Sequence, residues 1–138
     1  HDPEQAKQYL QEAIALDPEY MEAILVLMSI YSKQESYDEI ISLYEHISSQ
    51  DFDWTALYPF VAEAYDKEEE YKKAYEMYSA AYEDFKEDSA FLEKYCYFLI
   101  EDGKQEQAKE IAEQLVALNP TEQQYIELLV QVMDSLLQ

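Results

Sequence analysis

The stretch YPFVAEAYDKEEEYKKAYEMYSAAYEDF, residues 58–85, contains two apolar patterns separated by a polar turn. Tyr58, Val61, Ala62 and Tyr65 form the first, and Ala74, Tyr78 and Ala81 the second. Within each, the residues recur three and four apart, the spacing that places side chains on one face of an α-helix. The segment KEEE at 67–70 is a polar turn between them. The stretch therefore reads as a pair of amphipathic helices, each with one face to bury.

The same pattern recurs along the chain. A shift of 34 residues matches the sequence to itself with no insertion or deletion. Ala6, Ile40, Ala74 and Ala108 share one register; Leu10, Tyr44, Tyr78 and Ala112 share the next; Ala13, Ile47, Ala81 and Leu115 share a third. A second set contains Ile24, Tyr58, Leu92 and Ile126, then Leu27, Val61, Tyr95 and Leu129, then Tyr31, Tyr65, Leu99 and Met133. These registers predict eight helices, at about 3–16, 20–34, 37–50, 54–68, 71–85, 88–102, 105–118 and 121–137. The turns KQES, KEEE and EDGK lie in one register, and Gly103 suits a left-handed residue after a helix. Glu35 and Glu69 take the same place at a modest steric cost.

Composition agrees with a helical repeat. The chain has 138 residues, 49% of them hydrophobic, with one Gly and four Pro. That is too few turn formers for a sandwich or barrel and too many apolar residues for a disordered acidic tail. The net charge is −22. Such a surface repels phosphate backbones and anionic headgroups, so neither nucleic acid nor membrane is expected as a partner. It favours a basic or neutral protein, and it also keeps a helical surface soluble. The single Cys96 excludes an internal disulfide and a cysteine-built zinc site. The longest apolar run, AILVLM at 23–28, is far short of a membrane span. No signal peptide is visible, and a cytoplasmic location is the expectation.

On these residues the chain resembles the tetratricopeptide repeat (TPR) family. The middle repeat carries Tyr58, Val61, Ala62, Tyr65, Ala74, Tyr78 and Ala81 at the family's signature offsets. The preceding one has Ile24, Leu27, Met28, Tyr31, Ile40, Tyr44 and Ile47, and the following one Leu92, Tyr95, Cys96, Leu99, Ala108, Ala112, Leu115 and Pro120. The chain also resembles the acidic, tyrosine-rich arrays of Gram-positive bacteria. The small-residue slot holds Met28, Ala62, Cys96 and Val130, and Ile40 replaces a usual Ala. The resemblance implies an all-α fold, a right-handed superhelix of antiparallel helix pairs, or TPR solenoid, with eight helices. Residues 1–138 are expected to form a single array. Residues 1–20 are the second helix of a partial repeat; 21–54, 55–88 and 89–122 are full repeats; 123–138 are the first helix of a further one.

No residues assemble into a recognisable catalytic pattern, and the chain is expected not to be an enzyme and to need no cofactor or metal. His46 falls on the outer face of a second helix, where a solvated histidine is the ordinary case. Cys96 lies in the small-residue slot, where a thiol packs as a small hydrophobe. The run DKEEE at 66–70 lacks the spacing of a calcium loop. Eight of the fourteen tyrosines (Tyr31, Tyr37, Tyr44, Tyr58, Tyr65, Tyr71, Tyr78 and Tyr95) occupy recurrent packing positions.

The resemblance implies that the first helix of each repeat lines a concave surface that binds peptides. In this register the groove comprises Leu25, Val26, Ser29, Pro59, Phe60, Glu63, Glu93, Lys94 and Tyr97, with Glu127, Leu128 and Gln131 extending the series. The family's basic clamp for a terminal carboxylate has only Lys94 in its places. The apolar strip edged by glutamates suits instead a protein or peptide segment that is apolar with basic flanks. Pro59 has two readings. If Asp53 caps the helix, the proline frees the carbonyl of Thr55 and kinks the axis. If 53–58 is a loose turn, the proline begins the regular helix. Either reading places a backbone acceptor facing the groove beside Phe60.

The final helix has no following partner in the period, so Leu129, Met133 and Leu136, with Val130 and Leu137, form an apolar end face. That face is expected to continue a longer array or to mediate homo-oligomer formation. The start at His1 rather than Met suggests a piece upstream.

Overall fold

The computed structural model describes residues 2–138, and its described residues contain eight α-helices and no strand. They are α1 Pro3–Leu16, α2 Met21–Lys33, α3 Tyr37–Ile47, α4 Tyr58–Lys67, α5 Tyr71–Phe85, α6 Ser89–Glu101, α7 Gln105–Leu118 and α8 Gln123–Leu136. The chain divides into two compact units, one running to Ala81 and the other from Tyr82 to Gln138. The division falls inside α5.

In the first unit α1 packs on α2, α2 on α3 and α4, and α3 on α4. Its core is built from the two register sets. Ile24, Leu27, Met28 and Tyr31 of α2 are buried, as are Ile40 and Ile47 of α3, Val61, Ala62 and Tyr65 of α4, and Ala74, Tyr78 and Ala81 of α5. One hydrogen bond repeats with the period. Gln11 Nε2 donates to the Tyr31 hydroxyl at 2.9 Å, and one repeat later the Tyr65 hydroxyl donates to Glu45 Oε2 at 3.0 Å. Each ties a first helix to the second helix before it. In the second unit α6 packs on α7 and α7 on α8 around Leu92, Tyr95, Cys96, Leu99, Ala108, Ala112 and Leu115. The Cys96 thiol sits 3.5 Å from the Ala108 carbonyl, at the crossing of that helix pair.

The three equivalent turns share one geometry. Glu35 (φ 56°), Glu69 (φ 62°) and Gly103 (φ 77°) are left-handed. In each, the next residue's N–H closes on the carbonyl five residues back: Ser36 on Tyr31, Glu70 on Tyr65 and Lys104 on Leu99, all at 2.8 Å. These bonds satisfy carbonyls that a helix end leaves open.

Two elements depart from expectation. First, α3 stops at Ile47 rather than near 50, and α4 begins at Tyr58 after a 3₁₀ turn at Thr55–Leu57. Pro59 has no N–H to give to Thr55, so the regular helix can hold it only in the first turn. The Tyr58 N–H takes the Thr55 carbonyl instead, so that carbonyl is not left free. Asp53 Oδ1 accepts from the Thr55 N–H at 3.0 Å and from its hydroxyl at 2.6 Å, and Trp54 and Leu57 are buried beneath the turn. Second, Tyr71 opens α5 as expected but is exposed rather than buried.

Candidate functional site

The residues expected to line a groove lie on the first helix of each pair, away from the core. In the first unit, α2 presents Val26, half of whose surface is exposed, with Leu25 and Ser29 half-buried beside it. On α4, Pro59, Phe60 and Glu63 are half-buried. The α2–α4 packing brings the two helices together, and the Ser32 hydroxyl donates to Glu63 Oε1 at 3.4 Å. The result is an aliphatic and aromatic surface with a carboxylate at its margin.

In the second unit, Glu93, Lys94 and Tyr97 lie on α6. Tyr97 is 41% exposed, and Glu93 accepts a hydrogen bond from the Tyr125 hydroxyl of α8 at 3.0 Å. Burial, then this carboxylate, pushes the Tyr125 hydroxyl above its ordinary range. Glu93 also helps burial push the Cys96 thiol up to about 12, burial being the larger cause. A thiol so held is neutral at ordinary pH, which disfavours it as a nucleophile. Among the described residues, no cluster of His, Cys, Asp and Glu could hold a metal ion. No described helix is long and apolar enough to cross a membrane.

The continuation of the series onto α8 is corrected by the structure. Leu128, expected in the groove, is 3% exposed, and with Val132 it forms the buried face of α8. This helix packs on α7, and only these two of its apolar residues are buried. On the other side Val130 is 52%, Met133 45% and Leu137 86% exposed, while Leu129 and Leu136 are half-buried.

A feature outside the sequence reading is a trough of about 570 Å³ in the first unit, between α1 and α3 with α2 as its floor. Its walls include Ile14, Leu27, Leu43 and Ile47, and its rim Gln11, Glu39 and His46. His46 is thus on the outer face, as its register implies, but at the margin of a cavity. Comparing residues position by position between repeats, rather than only their apolar character, would have shown that Ile14 and Leu27 leave space.

Comparison with known proteins bears on this architecture. A family model of tetratricopeptide repeats matches residues 1–63, and the model of YpiA-like, C-terminal tetratricopeptide repeats matches residues 57–122. The chain belongs to the tetratricopeptide repeat family. It is 34% identical over 131 residues to the TPR repeat-containing protein YpiA of Bacillus subtilis (strain 168), a match covering 95% of this chain and 31% of that protein. The chain therefore spans about a third of the length of that relative. Among solved structures, MamA superposes with a TM-score of 0.83 at 16% identity, covering 97% of this chain and 78% of that one. YrrB, a TPR protein with an unusual peptide-binding site, superposes with a TM-score of 0.79 at 17% identity, covering 96% and 69%. These likenesses show the fold expected from the period, an all-α TPR solenoid.

Proposed function

We propose that this TPR chain is a protein-interaction scaffold whose first-helix surfaces hold a partner segment that is apolar with basic flanks. The observation that carries the reading is the exposure of Val26 and Tyr97 at register positions that face away from the core. Leu25 and Phe60 widen the strip in the first unit, Glu63 and Glu93 supply carboxylates, and the net charge of −22 favours a cationic partner. Apolar side chains at the surface with carboxylates beside them are the ordinary composition of a peptide-recognition surface, and each unit carries some on its own first helices. YrrB, a structural neighbour with a peptide-binding site, supports the scaffold reading by analogy of fold.

The test is site-specific photo-crosslinking in a lysate of the source organism, with the reactive residue placed at Phe60, Tyr97 or, as a control, Tyr75. The proposal expects one partner to be captured from positions 60 and 97 and not from 75. Equal capture at all three, or capture from 75 alone, contradicts it.

A second reading rests on the exposed Val130, Met133 and Leu137 of α8. On this reading that face, with Leu129 and Leu136 at its edge, packs against a further helix of a longer array or a second molecule.

A further inference from the structure

The trough between α1 and α3 has a counterpart two repeats along, in the second unit. There Tyr82, Tyr95, Gln107, Ile111 and Gln114 line a space of only about 180 Å³. By register they replace Ile14, Leu27, Glu39, Leu43 and His46. The two tyrosines fill the counterpart: their rings lie 6.4 Å apart, and the Tyr82 hydroxyl donates to Gln114 Oε1 at 2.7 Å. The repeat architecture can thus close this position, and the first unit leaves it open by its choice of residues. Protein interiors pack tightly, and an apolar trough of this volume is of ligand-site size.

We propose that the trough docks a helical peptide segment with apolar residues three or four apart and a Lys or Arg beside them. Its volume of about 570 Å³ exceeds what one side chain fills and accommodates neighbouring anchors from successive turns of a helix. The charge of the flanking helices selects a basic partner. Glu12 on α1 and Asp38, Glu39 and Glu45 on α3 are exposed carboxylates. Lys7 is occupied by Glu4 at 2.9 Å and by Gln34 at 3.0 Å. Leu27 and Tyr31, which floor the trough, lie on the face of α2 opposite Leu25 and Ser29. The site is therefore separate from the strip of the proposed function, and the two can fail independently.

The probe is a random 16-residue peptide library displayed on phage and panned on the full chain. Binders are then titrated against Glu39→Lys, Phe60→Ala and the double variant Ile14→Tyr/His46→Gln, which installs the equivalents of the hydrogen-bonded Tyr82 and Gln114 of the second unit. Ala15→Trp, at an exposed position on the trough's edge, replaces the double variant if that one loses the wild-type helical spectrum. The expected result is a class of binders with apolar pairs three or four apart and a basic neighbour. Its affinity falls about tenfold or more in the filled variant and in Glu39→Lys, and is unchanged in Phe60→Ala. If no binder responds to filling the trough, or those that do respond lack a basic residue and ignore Glu39→Lys, the proposal is overturned. Binders sensitive to Phe60→Ala alone also contradict it, while supporting the strip.

Discussion

Glu69 holds a left-handed backbone that glycine holds without a Cβ penalty, and Gly103 shows the easier solution at the equivalent turn. Glu69→Gly should therefore stabilise the chain by about 1 kcal/mol, measured as a shift in the urea midpoint. A midpoint that falls would mean that the Glu69 side chain contributes more than its backbone costs. This turn geometry was legible in the sequence because three turns share a register and one carries the only Gly. At Cys96 the same legibility holds for burial, which the small-residue slot implied, and the thiol should resist alkylation at pH 8 until the protein unfolds. The titration of the core follows in sign. Burial holds the Cys96 thiol and, with Tyr58, the Tyr44 hydroxyl up at about 12, and burial with Glu45 raises Tyr65 as well. Groups whose folded pKa is raised stabilise the fold fully below their unfolded pKa and lose that contribution as pH rises through the folded one. Thermal melts should therefore be level from pH 7 to about 9 and fall from about 9 to 12. Cys96→Ala should delay the onset of that fall toward the tyrosine range; an unchanged onset would contradict the assignment to Cys96.

At the scale of the helix, the sequence located every element but mistook two boundaries and one face. The missed boundaries flank the 3₁₀ turn before Tyr58, where helical spacing of apolar residues runs on through Thr55 although the backbone cannot. The proline decides this by its missing N–H, a constraint that periodicity does not register. The missed face is that of Leu128 on α8. It was expected in the groove, yet with Val132 it forms the buried pair, while Val130, Met133 and Leu137 are exposed as the end-face reading expected. A register copied from helices with neighbours on two sides does not describe one resting chiefly on α7, because the face that is buried follows the neighbour. The exposed Val130, Met133 and Leu137 give the end-face reading its measurable consequence. Sedimentation velocity should show concentration-dependent association that Met133→Lys reduces. A strict monomer at all concentrations, unchanged by the substitution, would count against self-association through α8.

For the whole molecule, the 34-residue period specified the fold class because helix pairs recurring at a fixed period bury their apolar faces on their neighbours in a repeat array. Function was less legible, since the groove residues are those the packing pattern leaves unconstrained. Leu25, Val26, Phe60 and Tyr97 were expected in a groove because the family resemblance put one on the first helices and they lie between the packing residues. The open trough escaped altogether, because Ile14 and Tyr82 are equivalent in apolar pattern and differ in volume. The charge of −22 acts over the entire surface and gives the scaffold reading its salt dependence: association with a basic segment should slow as ionic strength rises past the point where charges are screened.

The most direct test of the scaffold account is calorimetric titration of the crosslinked partner's binding segment into wild-type protein and into Phe60→Ala, Tyr97→Ala and Tyr75→Ala. The account predicts that Phe60→Ala and Tyr97→Ala each weaken binding by about 1–3 kcal/mol, that Tyr75→Ala leaves it unchanged, and that added salt weakens all four. Wild-type affinity in both Phe60→Ala and Tyr97→Ala would show that the first-helix surfaces are not where the partner binds.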